Sequence, residues 1–239
     1  MIKRLLAKFP YVIEKRNAER WGPGRAFWDA DYLARLGFKP RTLVDVGVAF
    51  GSPFPHDRSL YEAYPDAYLV LVEPLAEFDT NIQEILRTRE GMHLATALGD
   101  VEGEALIHID QKWIERSSIS TRTPLEYSGD FRGSRMIPVT TLDAVLHKYE
   151  FKPPFGLKID AEGWEHRVIS GAKNFLENTE FVIAEVSVAQ RFVEGYSFAE
   201  FIDLMNEMGF SVCDFLDIGR AGDSTVTFVD MVFRKNKVA

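Results

Sequence analysis

Short apolar runs alternate with helical periods along most of this chain. Thr42–Val46, Tyr68–Val72, His93–Leu98, Gly156–Asp160 and Phe181–Val186 are near-continuous stretches of Val, Leu, Ile and Phe, the pattern of strands buried on both faces of a parallel sheet. Thr141–Lys148, with a Thr-x-Asp start, His166–Glu177, and Phe198–Met208, stopped by Gly209, carry helical periods and cap signals. The last two runs, Ser211–Leu216 and Thr225–Arg234, have no helical period between them and are expected to pair as a hairpin. Asp100-Val-Glu-Gly103 predicts a turn, with Glu104–Ile109 as a returning strand added to the basic sheet. Trp113–Pro138 is polar, rich in Ser and Arg and without a period, so it is expected to be a long loop of the kind that forms lids or acceptor sites. The whole pattern predicts an α/β fold: a Rossmann-like, mostly parallel seven-stranded sheet with a C-terminal antiparallel hairpin and helices on both faces.

Ahead of the first strand, Ile2, Leu5, Leu6 and Phe9 stand at helical spacing among Lys3, Arg4, Lys8, Lys15 and Arg16, with Pro10 as a break or kink. Such a basic amphipathic helix would pack its apolar stripe on the domain or on a second subunit of a homodimer. The alternative is weak contact with an anionic membrane surface. Trp21-Gly-Pro-Gly24 reads as a turn and Ala26–Leu36 as a short helix. The expected organisation is a helical extension over residues 1–40 and one domain over 41–239.

With 46% hydrophobic and 27% charged residues, the 239-residue chain is globular in composition. It contains no apolar stretch near the roughly 20 residues that span a bilayer. A net charge of -8 excludes a general nucleic-acid binder, which needs concentrated basic surface. The single Cys213 has no internal disulfide partner and is expected to be a buried apolar residue. No signal peptide is visible, so the cytoplasm is the expected compartment.

The candidate chemistry lies where three of the strands end. TLVDVGVAFG (Thr42 to Gly51), YLVLVEP (Tyr68 to Pro74) and LKIDAEGWE (Leu157 to Glu165) each run from apolar residues into a carboxylate and then Gly or Pro. Buried strands pass the chain to ligand-facing loops in this way. Gly47 and Gly51 let backbone amides approach a ligand. Glu73, 22 positions after Gly51, can accept hydrogen bonds from both hydroxyls of a ribose. Asp45-Val-Gly47-Val-Ala-Phe-Gly51 lacks the third glycine of a dinucleotide fingerprint. A carboxylate at Asp45 would repel a pyrophosphate but suits the sulfonium and ammonium of S-adenosylmethionine.

These blocks, with ALGD (Ala97 to Asp100), SSIS (Ser117 to Ser120), VTTLD (Val139 to Asp143) and FVIAEVS (Phe181 to Ser187), come in an order that resembles the FkbM family of S-adenosylmethionine-dependent methyltransferases. The resemblance runs from about Thr42 to Glu185. It implies the class I methyltransferase fold, with Asp45, Gly47, Gly51, Glu73 and Asp100 binding the cofactor. Family members usually carry Ala and Asn after the first motif glycine, where this chain has Val48, Ala49 and Phe50. Pro53 and Pro55 follow and imply a longer or displaced loop. The acceptors implied are hydroxyls of sugars, glycan intermediates and natural products.

An alcohol acceptor must lose its proton during attack, which asks for a general base. Asp160 and Glu162, at a strand's carboxyl end, are the first candidates and His166 the reserve, while Glu165 is expected only to favour its helix dipole. With Glu185 they could hold magnesium, but no metal is expected. Arg116, Arg122, Arg132 and Arg135 could grip an anionic substrate group. His56 and His108 are read as structural. Two other readings remain open: a non-catalytic binding module that kept the fold, and a nicotinamide-dependent oxidoreductase.

Overall fold

The structure is a computed structural model and describes residues 30–50, 60–125 and 131–237, the side chains at 31, 131 and 132 aside. The N-terminal amphipathic segment, Gly51, Pro53, Pro55 and His56 lie outside the described residues.

β1 (Thr42–Val46), β2 (Tyr68–Val72) and β3 (Gly91–Leu94) form one half of the main sheet. β7 (Phe155–Ile159), β8 (Thr179–Ser187), β9 (Phe210–Arg220) and β10 (Val226–Lys235) form the other half. The seven strands run in the order β3-β2-β1-β7-β8-β10-β9. β10 is antiparallel to both neighbours, so the C-terminal hairpin turns back and inserts its second strand beside β8. β1 is buried along its whole length, as an inner strand covered on both faces must be.

Val44, Val46, Leu157, Ile159, Val182 and Ala184 point to one layer of helices. That layer comprises α3 (Leu142–Lys148), α4 (Glu165–Ser170), α5 (Lys173–Glu177) and α6 (Phe198–Glu207). Leu43, Leu69, Leu71, Phe181 and Ile183 point to the other side. There they meet α1 (Ala30–Arg35), the helical residues 60–63 and α2 (Asp79–Leu86). Strand alternation thus supplies both cores.

Thr141 Oγ1 caps α3 by accepting the Ala144 N–H at 3.0 Å, and Ser197 with Glu200 forms a capping box at α6. The single helix expected over His166–Glu177 is two helices. Gly171 (φ -90°, ψ 12°) and Ala172 (φ -124°, ψ 21°) leave helical dihedrals between them, and a Cβ on Gly171 would lie 2.0 Å from the Gly99 carbonyl oxygen.

Two further expectations are corrected. His93–Leu98 is not one strand: β3 ends at Leu94, and β4 (Ala97–Leu98) pairs with a different sheet. Thr96 makes the switch, its N–H donating to the Leu94 carbonyl and its hydroxyl to the Pro138 carbonyl, both at 2.9 Å. The second half of the expected loop at Trp113–Pro138 is β6 (Phe131–Thr140), antiparallel to β5 (Gly103–Asp110). β4, β6 and β5 make a small second sheet beside the main one. Gly133 to Met136 are exposed and Ile137 is buried, so the strand shows no clean alternation in sequence. Among the described residues no helix is long and apolar enough to cross a membrane.

Candidate active site

A cavity of about 510 Å³ opens over the carboxyl ends of β1, β2, β7 and β8. Parallel α/β sheets gather ligands there. Its first end is the turn leaving β1. Gly47 has φ +78°, and a Cβ there would lie 1.9 Å from the Asp160 carbonyl oxygen. The Gly47 N–H donates to the Val72 carbonyl at 3.0 Å. Ala49 follows at φ +47°, and its N–H donates to Glu73 Oε2 at 3.1 Å. Glu73 Oε1 accepts from the Leu75 N–H at 3.0 Å. Only 5% of Glu73 is exposed, and burial pushes its pKa up to about 7 against the pull of those two N–H groups.

Each Glu73 oxygen keeps a lone pair beyond its backbone bond. A diol can therefore share the carboxylate with the β1 turn, and the close turn, the acid and the apolar walls of Leu75, Phe78 and Leu98 fit a nucleoside. Glu73→Ala would leave two backbone donors without an acceptor and free the Ala49 turn. The expected result is a weakening of S-adenosylhomocysteine binding by about 10- to 100-fold, read by titration calorimetry, from the roughly 1–3 kcal/mol of each lost partner.

Asp45, expected to bind the cofactor, lies behind the cavity wall. It is fully buried, accepts from the Tyr61 hydroxyl and pairs with Lys158 Nζ at 3.3 Å. It does not line the cavity, whereas Lys158 does, its ammonium donating to the Gly47 carbonyl at 3.4 Å. Asp100 is also outside the lining and pairs with Arg167 at 2.6 Å.

The other end of the cavity is set by strand register. Asp230 on β10 stands opposite Glu185 on β8 and Asp217 on β9. Ile159 is paired with Ala184, so Asp160 extends the same row beside Glu185. All four carboxyl groups belong to lining residues. Like charges directly opposite one another on neighbouring strands repel, and protonation relieves the repulsion. Burial pushes Glu185 up to about 8; Arg191 opposes the shift, while Asp160 and Glu162 add to it. Asp230 is raised well above the usual carboxylate range by burial and then by Glu185, Asp160 and Asp217, with Lys158 pulling the other way.

Glu162 also lines the cavity, from a left-handed backbone at φ +49°. Its carboxylate is gripped by Arg122 at 2.5 Å and Arg191 at 3.4 Å, and Arg191 also binds Glu185. These arginines neutralise Glu162 and, through Arg191, Glu185. Among the described residues no three His, Cys, Asp or Glu side chains are arranged to hold a metal ion.

His166 stands outside the lining, its ring 5.0 Å from that of Tyr196. Burial and the Arg167 charge lower its pKa. Of the arginines expected to grip an anion, Arg116 lines the cavity. Arg122 is committed to Glu162, and Arg135 makes two bonds to Glu77, at 2.9 and 2.6 Å. The Arg132 side chain lies outside the described residues.

Sequence reading did not single out Lys158, Asp217, Asp230, Arg122 as a Glu162 partner, or Arg191. A signal existed for Asp217 and Asp230, each an acid inside an apolar strand run.

The antiparallel last strand set inside an otherwise parallel sheet, with a glycine turn and a buried acid at neighbouring strand ends, is the topology of the Rossmann-like class I methyltransferase fold. The family described as Methyltransferase FkbM domain matches residues 45–212. The chain belongs to that family, the S-adenosylmethionine-dependent enzymes its ordered motifs resemble.

Solved structures with similar folds include magnesium protoporphyrin IX methyltransferase from Synechocystis PCC 6803 with bound S-adenosylmethionine, at 10% identity and TM-score 0.44, covering 86% of this chain and 76% of that one. Another is a Burkholderia thailandensis 1,6-didemethyltoxoflavin-N1-methyltransferase, at 13% identity and TM-score 0.45, covering 87% of this chain and 76% of that one. A third is precorrin-6y C5,15-methyltransferase from Geobacter metallireducens GS-15, at 7% identity and TM-score 0.45, covering 86% and 85%. No curated protein matches the chain.

Proposed function

We propose that this methyltransferase acts on a hydroxyl oxygen of a sugar, a glycan intermediate or a hydroxylated natural product, with carboxylate assistance. The observation that carries the reading is the row of Asp160, Glu185, Asp230 and Asp217 along the acceptor end of the cavity. S-adenosylmethionine supplies a methyl group already activated by its sulfonium. Gly47, Ala49 and Glu73 hold the nucleoside end.

At the acceptor end, Asp160 accepts the hydroxyl proton as the new carbon–oxygen bond forms and the carbon–sulfur bond breaks. The proton then passes into the carboxyl row and to solvent. Lys158, two residues before Asp160 and on the same face of the strand, offsets the charge left on the row. Trp113, Trp164 and Phe228 supply flat apolar walls for a ring. The match to a methyltransferase family supports this reading over an oxidoreductase.

The test is incubation of the purified protein with methyl-labelled S-adenosylmethionine and a panel of methyl glycosides and hydroxylated aromatics between pH 6 and 9. A carboxyl with a raised pKa accepts protons only once it has ionised. Because the proton leaves Asp160 through the row, the rate is expected to rise with pH as Glu185, pushed up to about 8 by burial, ionises and can take it on. Transfer confined to amines, or a rate that falls over this range, would overturn the assignment.

A further inference from the structure

The segment carrying both candidate acids, Asp160-Ala-Glu-Gly163, contains two left-handed residues, Glu162 at φ +49° and Gly163 at φ +94°. A non-glycine residue in that region carries backbone strain and persists only when its surroundings hold it. Gly163 has no room for a Cβ, since one would sit 2.4 Å from the Phe192 ring. Holding groups come from both sides. Ser118 Oγ donates to the Glu162 carbonyl at 2.6 Å, and the Ser120 hydroxyl donates to the Gly163 carbonyl at 3.5 Å.

The N–H side of the turn is held by one side chain. Glu165 Oε1 accepts from the Ala161 N–H and from the Gly163 N–H, each at 3.0 Å. Its Oε2 accepts from the Tyr196 hydroxyl at 2.8 Å. Glu165 is 1% exposed and is not part of the cavity wall. A buried carboxylate there takes more than a helix dipole would require.

We propose that Glu165 is a positioning residue for methyl transfer: through its bonds to Ala161 and Gly163 it fixes the turn that aims Asp160 and Glu162 into the cavity, with Tyr196 holding its second oxygen. The inference rests on the proposed transfer chemistry. Displacing a reacting group by about 1 Å can reduce turnover roughly a hundredfold. Glu165 does this without touching either reactant.

The variants are Glu165→Ala, Glu165→Gln and Tyr196→Phe in the full chain. A glutamine oxygen can still accept from both amides while its NH₂ group meets the tyrosine oxygen. Three readouts separate positioning from folding: exchange of the Ala161 and Gly163 amide protons by NMR, S-adenosylhomocysteine binding, and kcat on the best acceptor of the panel above.

Glu165→Ala is expected to speed exchange of both amides at least about tenfold. It should lower kcat about 100-fold and leave S-adenosylhomocysteine affinity within about threefold of the parent. Glu165→Gln should restore exchange and most of the kcat. Tyr196→Phe, which keeps the amide bonds, should lower kcat by a smaller factor of about 3 to 10. Exchange and kcat unchanged in Glu165→Ala would overturn the proposal. So would a glutamine variant as impaired as the alanine one, or Tyr196→Phe losing cofactor binding and cooperative melting along with activity. If the parent protein methylates nothing in the panel, the acceptor assignment fails by itself, and the amide-exchange comparison alone decides the role of Glu165.

Discussion

Gly47→Ala is expected to abolish S-adenosylhomocysteine binding, weakening it more than about 100-fold, and to lower stability by about 3 kcal/mol or more. Two effects combine. Gly47 sits at φ +78°, where an L side chain adds roughly 1–2 kcal/mol of strain. The new methyl would also stand 1.9 Å from the backbone oxygen of Asp160. Backbone cannot swing away as a flexible side chain can, so the exits of β1 and β7 would have to separate. That movement pulls the Ala49 N–H off Glu73 and breaks the nucleoside end of the cavity. Gly222→Ala is the control, because nothing lies within 4 Å of a Cβ there. Calorimetric titration and thermal melting check both effects, and Gly47→Ala binding within tenfold of the parent would sink the explanation.

The second large effect is on turnover. Asp160→Asn is expected to reduce methyl transfer by about 100- to 1000-fold, the range of a lost general base, while S-adenosylhomocysteine affinity stays within about threefold. The amide keeps the shape of the side chain and the backbone packing against Gly47 but cannot take the acceptor's proton. The same substitution removes one charge from the row that raises Glu185 and Asp230.

That change has a definite sign in stability. A carboxyl raised on folding contributes stability that is present at low pH and is lost as pH rises through its folded value, about 8 for Glu185. With one like charge gone, less should be lost. Asp160→Asn is therefore expected to melt at a higher temperature than the parent at pH 8.5 and to differ little at pH 5.5. Activity and stability would then move in opposite directions, as functional sites often require. A variant that keeps its turnover would move the base to another member of the row.

How much of this was legible in sequence depends on how local the cause is. The β1 turn was readable because the carboxylate and glycines of VDVGVAFG sit within a few residues of one another, and Glu73 because it ends an apolar run. β6 was not. Its exposed residues mix Ser134 and Arg135 with Gly133, Met136 and Pro138, and only pairing with β5 and β4 makes it a strand. Glu165 carried a visible helix-start signal that concealed its bonds to Ala161 and Gly163, since a dipole preference and a turn clamp use the same residue at the same place.

By itself the sequence determined the strand-ending acids, the glycine turn, the helix caps and the order of the family motifs, all set by neighbours a few positions apart. Tertiary structure alone decided that β10 enters between β8 and β9, which brings Asp217 and Asp230 into one row with Glu185 and Asp160. It also decided that Arg122 and Arg191 occupy Glu162. Those meetings depend on sheet order and register. A one-residue slip would turn every side chain of a strand to the opposite face, and no local pattern specifies which distant strand lies alongside.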